Sequence, residues 1–262
     1  MPAPTDYLAV ALAAADAAAE AVRPYFRMGI EADDKADDSP VTLADRAAEQ
    51  AMRAVLAEHC PDHGIIGEEF GETAAGADGL RWVLDPIDGT RAFITGRTTF
   101  GTLIALLDGD WPVLGIIDQP ITRERWIGIE GRPTEFTGPL GGKIGGRPCP
   151  SLAQAELSCT SPDIFSAETR PRFERLRRAV RRTSWGGDCY GFGLLALGQI
   201  DLIVEEDLKP WDWAALVPVI TGAGGSITDW TGAPLRLGTS GRVIALGNPS
   251  LLPEVIGQLA QD

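Results

Sequence analysis

The feature that most constrains this chain is a short apolar strand that runs directly into two carboxylates. The apolar run Trp82–Leu84 precedes the motif D-P-I-D-G-T at residues 85–90. Pro86 lacks the backbone N–H that a strand ladder needs, and the glycine of the motif permits a tight turn, so we expect the strand to end there with Asp85 and Asp88 close together. Two adjacent carboxylates repel each other, and a divalent cation relieves the repulsion. The motif predicts a metal site, although a D-x-x-D turn taken alone is more often a simple loop.

Further carboxylates occupy similar positions elsewhere in the chain. Glu68 follows the apolar pair Ile65-Ile66, Asp212 lies between two tryptophans at a predicted helix start, and Asp45 is three residues after Thr42. Each has a simpler explanation, because Asp212 could only cap its helix and Asp45 could be the capping-box partner of Thr42. Gathered at one edge of layered sheets, however, they would form an oxygen-rich cage suited to Mg²⁺.

Other catalytic motifs are absent from the sequence. There is no G-x-S-x-G, no complete P-loop and no complete G-x-G-x-x-G, and two histidines are too few for a multi-histidine zinc site. The 23 Lys and Arg against 37 Asp and Glu give a net charge of −14, which argues against nucleic acid or an anionic membrane as a partner. A small phosphate could still bind if metal cations lie between it and the protein.

The apolar periodicity predicts two halves. Two amphipathic helices, the second starting at Thr42, precede short strands that form an antiparallel meander, with a hairpin at Asp108-Gly109. Residues 131–150 contain six glycines and four prolines, so we predict an N-terminal α+β subdomain over 1–140 and a C-terminal α/β subdomain over 141–262.

The chain has the features of a cytoplasmic protein. Its four cysteines are far apart and form no C-x-x-C pair, which favours reduced thiols. The N-terminal region lacks the basic start of a secretory signal, and no stretch approaches the roughly 20 apolar residues of a membrane span.

Taken together, three motifs resemble those of the inositol monophosphatase family of Mg²⁺-dependent, Li⁺-sensitive phosphomonoesterases. They are Gly67-Glu68-Glu69, D-P-I-D-G-T at 85–90, and W-D-W-A-A at 211–215 followed by the glycines at 222–225. The resemblance extends from Asp45 to the C-terminal glycine-rich turn. It implies an α+β or α/β protein with the layered αβαβα sandwich of sugar phosphatases, at least two Mg²⁺ per active site, a small phosphate monoester as substrate, and a homodimer.

The family pattern also implies a role for each matching residue. Glu68, Asp85 and the carbonyl of Ile87 would hold one Mg²⁺, and Asp85, Asp88 and Asp212 would hold a second. Asp45 and Thr90 match the pair that orients and activates the attacking water, and Lys35 matches a lysine on a loop near the site. The amides of Gly89 and Thr90 open a helix, where a phosphate can bind.

The run Trp185–Gly191 is similar to the histidinol-phosphatase branch of the family. Histidinol phosphate carries an ammonium and an imidazole, so Asp188 and Glu205 are predicted to bind its cationic end. Alternatively, Asp188 caps the helix that starts at Cys189, and Glu205 is a solvated strand end.

The sequence is also compatible with a different enzyme and with a different class of protein. The alternative enzyme is an inositol or broad sugar-alcohol monophosphatase, with a nucleotide 3′-phosphatase less favoured. The alternative class is an inactive metal-binding interaction module, whose hallmark would be loss of one of the catalytic or ligating residues, all of which are present here.

Overall fold

The structure is a computed structural model that describes residues 4–28, 33–34, 40–41, 43–77 and 79–260. The described residues form eight α-helices: α1 (Leu8–Val22), α2 (Leu43–His59), α3 (Thr90–Ile94), α4 (Arg170–Ala179), α5 (Asp188–Ala196), α6 (Pro210–Trp213), α7 (Leu216–Gly222) and α8 (Leu252–Ala260). Among these helices, none has both the length and the apolar character that crossing a bilayer requires.

The strands form two large sheets and one small pair. They are β1 (Asp33–Asp34), β2 (Pro40–Val41), β3 (Gly64–Gly67), β4 (Gly71–Thr73), β5 (Leu80–Asp88), β6 (Gly101–Asp108), β7 (Trp111–Gln119), β8 (Glu124–Ile129), β9 (Glu135–Thr137), β10 (Glu156–Cys159), β11 (Arg182–Trp185), β12 (Leu202–Glu205), β13 (Ser226–Thr228) and β14 (Val243–Leu246). The first large sheet has the order β4-β3-β5-β6-β7-β8-β9, and the second has the order β11-β10-β12-β14-β13.

The predicted meander is confirmed from β5 to β9, where every neighbouring pair is antiparallel. The predicted hairpin joins β6 to β7, and Gly109 adopts a φ of +58° in its turn, which a glycine reaches without strain. At the other edge of the sheet, β3 is parallel to β5. In the second sheet, β10 pairs in parallel with both β11 and β12.

Alternating side chains of β5 separate two of the three hydrophobic clusters. Trp82 and Leu84 pack with α1 and α2 on one face of the first sheet, whereas Val83 packs on the other face with α5 and α7. That second cluster reaches Ile203 of β12, and the far side of the second sheet packs against α4 and α8. The predicted αβαβα layering is therefore confirmed.

Helix α7 packs directly on the first sheet because two glycines leave room for its backbone. A Cβ at Gly115 of β7 would lie 2.1 Å from the carbonyl oxygen of Ala215, and one at Gly128 of β8 would lie 2.3 Å from backbone atoms of Pro218 and Val219. The C-terminal half thus shares a core with the first sheet. The division into residues 1–140 and 141–262 stays a prediction.

Candidate active site

A bulge in β5 places Asp85 and Asp88 on the same side of the sheet. The prediction that the strand ends before Pro86 is wrong, since β5 continues to Asp88. Its ladder with β6 pairs Asp85 with Leu103 and Asp88 with Gly101, so β5 contains one extra residue. Side chains alternate along a strand, and residues three apart would otherwise face opposite sides. The proline lies within the bulge, where no ladder N–H is required.

Asp212 completes a cluster of three carboxylates. Oxygen atoms of Asp85, Asp88 and Asp212 all lie within 4.8 Å of one another. Asp212 belongs to α6, and its Oδ2 also accepts a hydrogen bond of 2.7 Å from the Lys209 N–H. Asp212 therefore does cap its helix, as the simpler explanation proposed. The same carboxylate also faces Asp85 and Asp88.

Burial and mutual repulsion raise the pKa of these carboxyls. The pKa of Asp85, which is 1% exposed, is raised well above its usual value by desolvation and then by the negative charges of Glu68, Asp88 and Asp212. The pKa of Asp88 is also raised well above its usual value, first by desolvation and then by Asp212 and Asp188. The negative charge of the three carboxylates must therefore be offset either by bound protons or by a bound cation.

The donor set fits a hard divalent cation. Among the residues that the structure describes, Oδ1 of Asp85 is buried without a hydrogen-bond partner. An all-carboxylate set of oxygens is the kind of site that Mg²⁺ and similar ions prefer. The predicted ligands thus meet the chemical requirement for a metal.

Glu68 and Asp45 both lie near this cluster. The N–H of Glu68 donates to the carbonyl of Leu84 at 3.2 Å, which holds the turn after β3 against β5. Asp45 is in the first turn of α2 and is 1% exposed, and its charge raises the pKa of Asp85. Two other residues named from the sequence lie outside the described residues: Thr42, the predicted helix start, and Lys35, the predicted loop lysine.

The end of β5 leads into α3 through Gly89. This residue has a φ of +84°, and a Cβ on it would lie 2.9 Å from Cβ and Cγ of Asp188, so the position requires glycine on two grounds. The hydroxyl of Thr90 donates to the carbonyl of Ile87 at 3.1 Å. The predicted phosphate-binding residues and the predicted carbonyl ligand thus share one turn.

A cavity of about 320 Å³ brings the metal-side and substrate-side residues together. It is lined by Asp88, Gly89, Thr90, Arg91, Thr160, Ile164, Asp188, Glu205, Glu206, Leu208 and Asp212. Six of these eleven residues were predicted from the sequence: Asp88, Gly89, Thr90, Asp188, Glu205 and Asp212.

Asp188 starts α5 but does not cap it. No side-chain cap is formed there, and Oδ2 of Asp88 accepts a hydrogen bond of 2.5 Å from the Cys189 N–H instead. Asp188 adopts a φ of +44°, and its Oδ2 accepts a hydrogen bond of 3.4 Å from the Thr99 hydroxyl. Desolvation raises its pKa, and the nearby Arg97 guanidinium partly opposes that effect. Thr99 belongs to none of the sequence motifs and was not predicted.

Glu205 is not a solvated strand end. It is the last residue of β12, is 2% exposed, and accepts hydrogen bonds from the N–H and hydroxyl of Thr160 at 2.7 and 3.1 Å. Desolvation raises its pKa to about 8 although the Thr160 hydrogen bonds oppose the shift, and the charge of Asp188 adds to it. In the described part of the chain, no Lys or Arg forms an ion pair with Glu205.

The layered fold and this carboxylate-lined cavity are those of a phosphoric monoester hydrolase. The chain belongs to the inositol monophosphatase family, whose family model matches residues 3–262.

Three relatives illustrate the likeness. The chloroplastic bifunctional phosphatase IMPL2 of Arabidopsis thaliana is 48% identical over 97% of this chain and 75% of its own length. The histidinol-phosphatase of Chlorobaculum parvum is 35% identical over 92% of each chain. A structure of an inositol monophosphatase from Zymomonas mobilis superposes with a TM-score of 0.89 at 48% identity and covers 100% of both chains.

Proposed function

We propose that this protein hydrolyses L-histidinol phosphate to L-histidinol and phosphate, a step of histidine biosynthesis, with Mg²⁺ as its cofactor. The observation that carries the proposal is the pair of carboxylates, Asp188 and Glu205, on the wall of the cavity that also contains Asp88 and Thr90. The similarity to a curated histidinol-phosphatase supports it.

The charge of the substrate explains why this cavity suits it. Burial raises the pKa of Glu205 to about 8, and no Lys or Arg of the described residues forms an ion pair with it. A ligand ammonium would supply that cation and form charge-assisted hydrogen bonds with the carboxylates. A neutral polyol would offer Glu205 no cationic partner and would therefore gain no charge-assisted hydrogen bond there.

The carboxylates on the other side of the cavity would hold the metal ions. Glu68, Asp85 and the Ile87 carbonyl would form one site, and Asp85, Asp88 and Asp212 the other. Bound Mg²⁺ would neutralise the acidic cluster and the phosphate and make water a stronger nucleophile. The amides of Gly89 and Thr90 would bind the phosphate oxygens.

Two side chains would act on the attacking water: one would accept its proton and the other would orient it. We assign Asp45 as the acceptor of the proton, since its carboxylate is buried beside Asp85. Thr90 already orients its hydroxyl hydrogen toward the Ile87 carbonyl, so its oxygen is left to accept a hydrogen bond from water. No covalent protein intermediate is required.

The alternative is an inositol or broad sugar-alcohol monophosphatase. The Zymomonas mobilis structure, described as an inositol monophosphatase, favours it because its identity to this chain is 48%. A side-by-side measurement of kcat/KM for histidinol phosphate, inositol 1-phosphate and adenosine 3′,5′-bisphosphate separates the candidates. We expect histidinol phosphate to give the highest value, and a higher value for inositol 1-phosphate would refute the assignment.

Asp188→Asn tests the recognition step. Asparagine tolerates the φ of +44°, and loss of a charged hydrogen bond costs about 1.5–3 kcal/mol, so kcat/KM for histidinol phosphate should fall roughly 10–100-fold. Turnover of glycerol 2-phosphate, which has no cation, should be unchanged.

Asp207 provides a matched control for that variant. It also has a positive φ, +68°, but it is exposed and paired with Lys209 at 2.6 Å. We expect Asp207→Asn to leave both substrates unaffected. Equal loss on both substrates in Asp188→Asn would refute the recognition role and leave the phosphatase assignment intact.

We also propose that the protein is a cytoplasmic homodimer. Family resemblance supports the dimer, and four buried free cysteines suit a reducing compartment. Sedimentation equilibrium and cell fractionation would test the two statements separately.

A further inference from the structure

The turn that carries Glu68 packs against a buried carboxylate, Glu49, which does not line the cavity. Glu49 belongs to α2 and is 0% exposed. It follows Asp45 by four residues, so both side chains project from the same side of the helix. A buried glutamate is costly unless hydrogen bonds and an opposite charge compensate it.

The compensation comes from the turn after β3. Oε2 of Glu49 accepts a hydrogen bond of 2.7 Å from the N–H of Glu69, and Oε1 accepts one of 3.3 Å from the N–H of Phe70. Arg53 donates to Oε1 at 2.7 Å and to the carbonyl of Gly71 at 2.5 Å. Glu49 and Arg53 together bind backbone groups of all three residues after Glu68.

The end of β3 is shaped to receive this carboxylate. A Cβ on Gly67 would lie 1.9 Å from Oε1 of Glu49, so any other residue there would displace the side chain. On the other side of Glu68, its own N–H donates to the carbonyl of Leu84 in β5. Glu68 therefore lies between two anchors, one in α2 and one in the sheet.

We propose that Glu49 is a positioning residue that holds Glu68 in the geometry required for metal binding. This inference rests on the proposed function, in which Glu68 is a metal ligand. A ligand on an unsupported turn would lose conformational entropy when it binds a metal, and the hydrogen bonds from the turn amides to Glu49 remove that freedom in advance. One helix thus positions both Asp45 and Glu68.

Glu49→Gln tests the proposal because glutamine keeps the shape but can present only one acceptor oxygen. One of the turn amides then faces an N–H₂ group. We expect the Kd for Mg²⁺, measured by calorimetry without substrate, to rise roughly 10–100-fold, as is typical when a group supporting a metal ligand is changed. Hydrogen exchange at the amides of Glu69 and Phe70 should become faster.

The control is Glu58→Gln, the same substitution at an exposed position of the same helix. It should leave the Mg²⁺ affinity and the exchange rates unchanged. Unaltered protein that binds no Mg²⁺ would overturn the proposed function and this inference together. Unaltered protein that binds Mg²⁺, with a folded Glu49→Gln variant of equal affinity, would overturn this inference alone.

Should Glu49→Gln fail to fold, Arg53→Gln decides the question. Arg53 is partly exposed, and its loss removes the ion pair and the contact with Gly71 while Glu49 remains. We expect weaker Mg²⁺ binding and faster exchange at Phe70, and unchanged values for both would overturn the proposal.

Discussion

The buried Glu205 should make the unliganded, metal-free protein less stable as the pH rises. With a pKa of about 8, this carboxyl keeps its proton at neutral pH when the cavity holds no cation. Glutamine resembles the protonated form, because it offers one acceptor oxygen and one donor group. Glu205→Gln therefore removes the titration while it preserves an acceptor for the N–H of Thr160.

The sign and size of the effect follow from proton binding. Between pH 4.5, the ordinary pKa of a glutamate, and about pH 8, the folded protein retains a proton on Glu205 that the unfolded chain has lost. The free energy of unfolding then falls as the pH rises, by about 1.4 kcal/mol per pH unit for one proton. Over this interval the contribution of Glu205 amounts to a few kcal/mol, and at most about 5.

Urea unfolding monitored by tryptophan fluorescence measures this contribution. The experiment is done in EDTA at pH values from 5 to 8.5. Other carboxyls with a raised pKa also lower the stability across this range, so the informative quantity is the difference between the two proteins. We expect the free energy of unfolding to fall less steeply with pH in Glu205→Gln than in the unaltered protein.

An exposed glutamate supplies the control. Glu254→Gln makes the same chemical change on the first turn of α8 and should leave the slope as it is in the unaltered protein. Parallel curves for Glu205→Gln and the unaltered protein would show that Glu205 is ionised at neutral pH, and the reasoning from burial would then be wrong.

Two further predictions concern the catalytic side of the cavity. Asp88→Asn can still accept the hydrogen bond from Cys189 but loses a ligand charge, so most of the rate at limiting Mg²⁺ should disappear; activity that survives EDTA would contradict a metal-dependent mechanism. Thr90→Val should lower kcat by about 10²–10⁴ with little change in Tm, and single turnover in ¹⁸O-water should place the label in phosphate, whereas a labelled or phosphorylated Asp85 would exclude direct attack by water.

Local patterns in the sequence predicted the meander, the two halves and the carboxylate motifs, whereas the αβαβα layering was implied by the resemblance of those motifs to a known family. Apolar periodicity and turn residues are sufficient to predict β6, β7 and the hairpin between them. The bulge in β5 could not be predicted, since it depends on how Asp85 and Asp88 register with another strand. Pro86 signalled an interrupted ladder but not that the strand would resume after it.

Residues that act through long-range contacts were the ones missed. Glu49 occupies an ordinary charged position in an amphipathic helix, and only its contacts with the turn at Glu69 distinguish it from a solvated glutamate. Thr99 contacts Asp188 at a sequence separation of 89 residues, and Thr160 contacts Glu205 at a separation of 45. No spacing rule connects such distant positions, so the tertiary structure was needed to find them.

The close packing of α7 on the first sheet through Gly115 and Gly128 has an evolutionary consequence. The carboxylates predicted to bind metal lie mainly on and beside the first sheet, whereas Glu205 ends β12 of the second sheet and Asp188 begins α5, which packs between the two sheets. Under the proposed roles, substitutions around Asp188 and Glu205 would change which alcohol is accepted while the metal-binding carboxylates stay in place. The two glycines set how closely α7 packs on β7 and β8. Evolution would therefore be free to vary the pocket but not these two positions.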